Sequence, residues 1–214
     1  MPGQRVCLIR HGETEWSLNG RHTGSTDIPL TEKGRKVARQ WKPILSQLPF
    51  VSVLTSPLHR ARETCELAGL GAHAEVDDDL REWNYGDYEG WTPQQIQARQ
   101  PDWLIFRDGC PGGESPDQIQ VRIDRVIDKV RALKGDVAVF AHGHLLRSFG
   151  ARWLGLRAQD GSLFLLDPAT VSVMSHYHGV PAVEHWNAPL VHPAILEDLH
   201  LPVQSVPGGT TYGH

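Results

Sequence analysis

Cysteine is scarce in this sequence, and long hydrophobic runs are missing. The three cysteines, Cys7, Cys65 and Cys110, lie far apart and show no C-x-x-C spacing, which argues against a disulfide framework or a cysteine-based zinc site. No apolar run approaches the roughly eighteen residues of a transmembrane helix, and the N-terminus lacks the basic and apolar regions of a signal peptide. We therefore expect a cytoplasmic protein.

A strong excess of charge of either sign is also missing. The sequence has 21 Lys and Arg against 25 Asp and Glu, a formal net charge of −4. This balance gives no electrostatic footprint for nucleic acid or for a membrane surface, so we expect neither as a partner. A small molecule is the expected partner, and a homodimer is left open.

The 214 residues are enough for one sizeable domain, which we predict over 1–188, with 189–214 as a proline- and glycine-rich arm or tail. Strand-like runs alternate with helical patterns, and this alternation predicts an α/β fold, a three-layer α/β/α sandwich with a mainly parallel sheet. The predicted strands are Arg5–Ile9, Val51–Thr55, Val137–Ala141, Val171–His176 and Ala182–Trp186. The predicted helices are Thr31–Leu48 with a kink at Pro43, Pro57–Leu70 with a proline in its first turn, and Ser115–Leu133.

Two of the predicted strands end in the same way. His11 and Gly12 follow the first strand, and His142 and Gly143 follow the strand at Val137–Ala141. One such histidine is ordinarily a loop residue or a structural group. Two of them at the carboxyl ends of strands in one parallel sheet predict a shared ligand site, because ligands bind beyond those ends.

Two arginines stand beside these histidines in the predicted fold. Arg10 ends the first strand, and Arg60 falls in the early turns of the helix that follows the second strand. A helix N-terminus favours anions, and an arginine guanidinium adds a bidentate donor for phosphate or carboxylate. Arg10 and Arg60 together therefore predict a phosphate pocket.

Six ordered motifs resemble those of the histidine phosphatase superfamily, which has the phosphoglycerate mutase-like fold. They read "LIRHGETEW", "TGSTDIPLTEKGR", "TSPLHRARETCELA", "LREWNYGDYEG", "GGES" and "FAHGHLLR", and the resemblance as a whole runs from about residue 5 to residue 180. The resemblance implies a phosphoric monoester hydrolase that needs neither a cofactor nor a metal and acts on a small phosphorylated metabolite. The branch it resembles most contains sedoheptulose bisphosphatases and bacterial acid phosphatases.

The resemblance also implies the catalytic roles. His11 would accept the phosphoryl group as the nucleophile, while Arg10, Arg60 and His142 would surround the phosphoryl oxygens. Glu82 would be the general acid, since it lies in the family's L-x-E-x-x-x-G-x-x-x-G pattern. A surface carboxylate in a charged run is the alternative for this residue.

Further residues match substrate contacts of the family. Thr23, Gly24 and Gly143 are expected at the phosphate, together with Ser17, which stands where many members carry asparagine. At the leaving-group end we expect Tyr85, Arg147 and His178, with Arg147 reaching a second phosphate. Packing, a solvated helix position and a loop position are the respective alternatives for these three residues.

The resemblance leaves the substrate open. Sugar bisphosphates such as sedoheptulose or fructose bisphosphate are favoured, and a broad acid phosphatase is the alternative. A phosphoglycerate mutase is less favoured, because mutases of the family carry a longer insertion rich in Arg and Lys before "GGES". Here Arg99 and Arg107 are the only basic residues between Gly90 and Gly112. Two other functional classes fit the sequence less well. A metallohydrolase using His142 and His144 lacks further ligands at a recognisable spacing, and a non-catalytic phospholigand binder would be expected to have lost His11 or Glu82.

Overall fold

A six-stranded sheet forms the centre of the protein, whose computed structural model describes residues 3–190. The strands are β1 Val6–Arg10, β2 Ser52–Thr55, β3 Ala74–Val76, β4 Val137–Ala141, β5 Val171–Tyr177 and β6 Val180–Ala188. Their order across the sheet is β3-β2-β4-β1-β5-β6. The first four in that order are parallel to one another, whereas β5 runs antiparallel to β1 and β6 antiparallel to β5. The predicted mainly parallel α/β fold is confirmed, with an antiparallel pair at one edge.

Helices flank the sheet on both faces. They are α1 Glu15–Leu18, α2 Glu32–Leu45, α3 His59–Leu67, α4 Pro93–Gln97, α5 Ile105–Asp108, α6 Pro116–Ala132 and α7 Gly143–Trp153. The long helix α6 was predicted to within a residue at each end, because Ser115 forms a capping box with Gln118. The prediction for α3 was wrong at its start, since the helix begins at His59 and Pro57 lies before it. Pro43 lies inside α2.

Alternation along the central strands produces two hydrophobic cores. On β1, Val6 and Leu8 contribute to one core, and Cys7 and Ile9 contribute to the other. Apolar residues of α6 and α7 pack in the first core, and those of α2 and α3 pack in the second. Because successive strand residues point to opposite faces, a strand buried on both faces is apolar throughout, which is why β1 and β4 were recognisable in the sequence.

The C-terminal boundary differs from the prediction. Leu190, which was assigned to the arm, is 1% exposed and packs in the core beside α2 and α3. The rest of the predicted arm, 191–214, lies outside the described residues. Within the described part of the chain, no helix combines the length and the apolar character needed to cross a membrane.

Candidate active site

The carboxyl ends of β1 and β4 bring the two predicted histidines together. These strands are neighbours in parallel register, and the His11 amide donates a hydrogen bond to the Ala141 carbonyl at 3.0 Å. The ring centroids of His11 and His142 are 5.2 Å apart, with the rings tilted by 57°. Pairing of strands far apart in sequence thus places the two rings side by side.

His11 is held with one ring nitrogen free. Its Nδ1 lies 2.7 Å from the Gly12 carbonyl oxygen, which can only accept, so Nδ1 carries the proton and Nε2 keeps its lone pair. The Gly12 peptide is fixed in turn, since its N–H donates to Thr64 Oγ1 at 3.0 Å. Burial, followed by the charges of Arg60 and Arg10, holds the pKa of His11 well below its usual 6.5. The imidazole is therefore neutral at neutral pH, as a nucleophile must be.

His142 has the opposite tautomer. Ser56 Oγ lies 2.7 Å from His142 Nε2 and accepts from the Leu58 amide at 3.3 Å. Among the described residues Nε2 is the one acceptor that this hydroxyl contacts, so we assign the Ser56 proton to the bond with Nε2. Nδ1 then carries the ring proton of His142. Burial, together with Arg60 and His11, lowers the pKa of His142 well below 6.5, so this ring is also neutral. Neutral His142 can donate a hydrogen bond to a phosphoryl oxygen.

Arg10 and Arg60 are buried cations anchored by carbonyl groups. Arg60 donates to the carbonyls of Thr23, Gly24 and Thr26 at 2.8, 3.0 and 3.1 Å. Arg10 Nη1 donates to the Leu166 carbonyl. Burial lowers the pKa of both guanidinium groups from 12.5, and the negative charge of Glu82 opposes this in both cases. Carbonyl ligands fix the orientation of each cation without neutralising its charge.

Three N–H donors around His11 have no partner within residues 3–190. They are Arg10 Nε, Arg60 Nε and His142 Nδ1, and all three atoms are buried. A buried donor without a hydrogen bond is costly, and such groups are rare in folded proteins. Donors of this kind next to a neutral nucleophile suit a ligand with several strong acceptor oxygens, as a phosphoryl group has.

The carboxylate of Glu82, a residue of the loop before α4, lies at the N-terminus of α7. Its Oε1 accepts from the amides of Trp83 and Leu145, both at 2.9 Å, and its Oε2 accepts from the His144 amide at 3.1 Å. The free N–H groups at the start of a helix favour such a carboxylate. Because Oε2 takes only one of the three bonds, it has the lone pair that remains available to carry a proton.

The loop that carries Glu82 is fastened by Arg122 of α6. The Arg122 guanidinium binds both oxygens of Glu114 at 2.8 and 2.9 Å and donates to the carbonyls of Asp79, Arg81 and Glu82. Glu114, from the "GGES" motif, also accepts from the Asn84 amide at 2.8 Å. These bonds hold the backbone on both sides of Glu82 and hence the position of its carboxylate.

One pocket of about 210 Å³ contains most of the residues predicted for the site. The predicted residues in its lining are Arg10, His11, Ser17, Thr23, Glu82, Tyr85, Gly143 and Arg147. His142 and Arg60 are fully buried beside His11 and do not reach the lining. Gly143 lets Arg10 approach closely, because a Cβ at this position would lie 3.0 Å from the Arg10 guanidinium carbon and would press on that side chain.

The predicted phosphate contacts of Ser17 and Gly24 are not supported. The Ser17 hydroxyl donates to the Thr14 carbonyl at 2.8 Å in a capping box of α1, so its proton is already used. The Gly24 amide donates to the Glu89 carboxylate at 2.9 and 3.1 Å, and Gly24 lines a neighbouring cavity. The Thr23 hydroxyl donates to the Arg21 carbonyl at 3.1 Å and can only accept from a ligand. Carbonyl groups of this loop instead hold Arg60.

The predicted substrate contact of His178 is wrong. His178 lies in the turn between β5 and β6, at a φ of 50°, where its ring packs on Tyr177. Because β5 runs antiparallel to β1, the C-terminal end of β5 lies beside the amino end of β1, whereas His11 follows the carboxyl end of β1. The sequence did not reveal this reversal of direction.

Several residues of the site were not predicted from the sequence. His22 and His144 line the pocket, and Arg122 and Glu114 fix the Glu82 loop. His144 had been considered only as a metal ligand, but its Nδ1 lies 2.6 Å from Tyr85 Oη, whereas His142 binds Ser56. No three His, Cys, Asp or Glu side chains of the described chain converge as metal ligands. The only sequence signals were the place of His144 inside "FAHGHLLR" and the position of His22 directly before "TGSTDIPLTEKGR".

Curated relatives of this chain include proteins named as phosphatases. An acid phosphatase of Mycobacterium tuberculosis is 41% identical over 180 residues, which cover 82% of this chain and 88% of the relative. Sedoheptulose 1,7-bisphosphatase of Saccharomyces cerevisiae is 34% identical, covering 92% of this chain and 97% of the relative.

Solved structures agree with these relatives. The structure of an open reading frame product of Mycobacterium tuberculosis matches with a TM-score of 0.83 and 38% identity, over 87% of this chain and 98% of that one. A mycobacterial glucosyl-3-phosphoglycerate phosphatase in complex with VO3 matches with a TM-score of 0.76 and 29% identity, over 86% and 99% of the two chains. The family model of the histidine phosphatase superfamily (branch 1) matches residues 6–189, so this chain belongs to that superfamily and is a phosphatase.

Proposed function

We propose that this phosphatase hydrolyses small sugar phosphates, with bisphosphates such as those of sedoheptulose and fructose favoured, through a phosphohistidine on His11. The proposal is supported by the neutral His11 with a free Nε2, by the unpartnered donors around it and by the carboxyl group of Glu82 in the same pocket. A covalent intermediate divides one difficult hydrolysis into two easier transfers.

In the first transfer, His11 Nε2 attacks phosphorus and the bond from phosphorus to the alcohol oxygen breaks. Glu82 gives its proton to the departing oxygen, so the product leaves as a neutral alcohol. Arg10, Arg60 and His142 donate to the phosphoryl oxygens, on which the transition state concentrates charge. The family's usual metal-free chemistry thus rests here on fixed cations and a neutral imidazole.

In the second transfer, a water molecule attacks phosphorus and the bond from phosphorus to Nε2 breaks. Glu82, now a carboxylate, takes a proton from that water and returns to its acid form. Inorganic phosphate leaves and His11 is neutral again. The backbone bonds to Glu82 keep one carboxyl group in place for both transfers.

The observation that carries the substrate proposal is the half-buried cation Arg147, which lines the pocket together with Arg10 and the exposed Arg21. Arg147 packs over the Phe106 ring at 4.5 Å and donates to the carbonyls of Gly161 and Ser162. Burial, followed by the charge of Arg10, lowers the pKa of Arg147 to about 10, which leaves it cationic at neutral pH. A second cation within electrostatic reach of Arg10 suits a small ligand that carries two phosphate groups.

A broad acid phosphatase is the second candidate. It is favoured by the relative named acid phosphatase, which is 41% identical. The two candidates differ in how much the far end of the substrate contributes to binding, because a broad phosphatase uses the phosphate end alone.

A substrate panel tests the proposal. We expect kcat/KM for sedoheptulose 1,7-bisphosphate and fructose 1,6-bisphosphate to exceed that for 3-phosphoglycerate and p-nitrophenyl phosphate, and we expect a chelator to leave all four unchanged. Similar efficiency on the four esters would instead support a broad acid phosphatase.

A substitution at Arg147 tests the second cation. Arg147→Ala should raise KM for the favoured bisphosphate by the factor that corresponds to a lost charge-assisted hydrogen bond of about 1.5–3 kcal/mol. The KM for p-nitrophenyl phosphate should change much less. Arg39→Ala is the matched control, because Arg39 is exposed on α2 and outside the pocket lining. Equal effects of Arg147→Ala on both substrates would contradict a contact with the second phosphate.

A further inference from the structure

Three aromatic side chains form one wall of the pocket next to Glu82. We call His22, Tyr85 and His144 the ring cluster; all three line the pocket. His22 stacks on Tyr85 with centroids 4.6 Å apart, and the His144 centroid lies 5.7 Å from that of His22. The His144 amide donates to Glu82 Oε2 at 3.1 Å. The ring cluster therefore adjoins the group that protonates the departing oxygen.

The hydrogen bond between Tyr85 and His144 fixes which nitrogen of His144 carries a proton. Tyr85 Oη lies 2.6 Å from His144 Nδ1, and the tyrosine is only 2% exposed. Since no other described residue accepts from this hydroxyl, its proton goes to Nδ1. His144 then carries its own proton on Nε2, the ring edge turned away from Tyr85.

His22 brings an unused nitrogen to the same wall. It is 7% exposed, and its Nε2 is buried without a hydrogen-bond partner in the described part of the chain. Burial lowers the pKa of His22 to about 4 and that of His144 well below 6.5. Both rings are neutral at neutral pH, so the wall offers hydrogen-bonding nitrogens but no charge.

We propose that His22 and His144 form a neutral subsite that binds a hydroxyl group of the leaving alcohol. A hydroxyl can accept from His144 Nε2–H and form a second hydrogen bond with His22 Nε2, because a hydroxyl both donates and accepts and therefore suits either tautomer of His22. A second phosphate or a carboxylate would gain more from a cation such as Arg147. The ligand class is a phosphate ester of a polyol with a hydroxyl close to the ester oxygen. This inference rests on the proposed function and adds the residues that recognise the alcohol.

Two simple esters separate this subsite from the rest of the pocket. Glycerol 1-phosphate carries hydroxyl groups, and propyl phosphate has the same carbon skeleton without them. The ratio of their kcat/KM values is compared between the unmodified protein and each variant, so that the intrinsic reactivities of the two esters cancel. Hydrogen-bonding sites discriminate strongly against analogues that lack the polar group, because the site's own groups are then left unpaired.

We expect the unmodified protein to favour glycerol 1-phosphate and His22→Phe to lower the ratio about tenfold, the value of one hydrogen bond near the upper end of its usual range. His144→Phe should lower it by a similar factor. His22→Gln, whose side-chain amide offers a carbonyl acceptor and an N–H donor near the place of Nε2, should restore part of the ratio. His73→Phe is the matched control, since His73 is exposed and outside the pocket lining, and it should leave the ratio unchanged.

The proposal is overturned if the unmodified protein turns over glycerol 1-phosphate no faster than propyl phosphate. It is equally overturned if both phenylalanine variants keep the original ratio within about twofold, a difference too small for a lost hydrogen bond in a buried site. Failure of the proposed function would appear elsewhere, in the sugar bisphosphate panel, because neither monophosphate carries the second phosphate that Arg147 is proposed to bind.

Discussion

Replacing Arg122 should damage both the stability of the protein and the action of Glu82. Arg122→Met keeps most of the aliphatic volume but removes five hydrogen bonds, two of them to Glu114 and three to carbonyls of the Glu82 loop. The side chains of Arg122 and Glu114 are 10% and 20% exposed. Breaking a buried ion pair by removing one partner costs about 3–5 kcal/mol, and we expect a loss near the lower end because Glu114 keeps its bond from Asn84.

The stability change is measured by urea unfolding followed through tryptophan fluorescence, since the chain has 7 Trp. The effect on Glu82 is measured separately, as the dependence of kcat/KM on the pKa of the leaving alcohol across a series of aryl and alkyl phosphates. A displaced Glu82 protonates the leaving oxygen less well, so the dependence should become steeper in Arg122→Met. A purely structural role would lower stability without changing that slope.

Arg125→Met is the matched control. Arg125 lies one turn further along α6 and pairs with the Asp79 side chain, but it is 57% exposed and makes no bond to the Glu82 backbone. Exposed ion pairs contribute little, so this variant should leave both the unfolding transition and the leaving-group slope nearly unchanged. If Arg122→Met behaves like Arg125→Met in both measurements, the assignment of Arg122 as a positioning residue is refuted.

Three further predictions concern the proposed chemistry and the buried histidines. His11→Ala should lower kcat by several orders of magnitude and abolish the acid-labile phosphohistidine seen by mass spectrometry after rapid quenching at alkaline pH; near-normal turnover would exclude the covalent route. Glu82→Gln should slow sugar phosphates far more than p-nitrophenyl phosphate, whose leaving group needs little acid help, and equal losses would remove Glu82 from the acid role. The pKa of His22 is about 4 in the folded protein and 6.5 ordinarily, so the unfolded chain takes up a proton at a higher pH than the folded protein does. The free energy of unfolding is therefore unaffected above about pH 6.5 and decreases as the pH falls from there towards 4. That decrease is about 3 kcal/mol for His22 alone, and a urea titration of His22→Phe should show a correspondingly weaker decline of stability between those pH values.

Local patterns in the sequence determined the central strands, the long helix and the strand-end histidines. β1 and β4 are short apolar runs followed by His-Gly, and α6 has an apolar stripe behind a capping serine. Each of these signals is contained within a few neighbouring residues, so it can be seen without the fold. β3 was missed because its three residues, Ala74–Val76, are too few to show a period.

The predicted substrate contacts depended more on the fold. The hydroxyl of Ser17 was used within its own helix cap, and the amide of Gly24 was taken by Glu89, which is 65 residues away. His178 lies at the other end of the strands from His11, because a strand's direction in a sheet depends on its partner and not on its own residues. A motif therefore identifies a candidate ligand-binding residue, but it does not show whether the donors of that residue are already bonded within the protein.

The sequence by itself determined the family, the two histidines, the two arginines and the glutamate, because each stands in a recognisable motif beside a local structural signal. Only the tertiary structure decided how they act. The Gly12 carbonyl and the Ser56 hydroxyl select opposite tautomers of His11 and His142, and Arg122 secures the Glu82 loop from a helix 40 residues away in sequence. The physical reason is that hydrogen bonding and desolvation depend on which groups are neighbours in space, and packing of distant segments alone determines those neighbours.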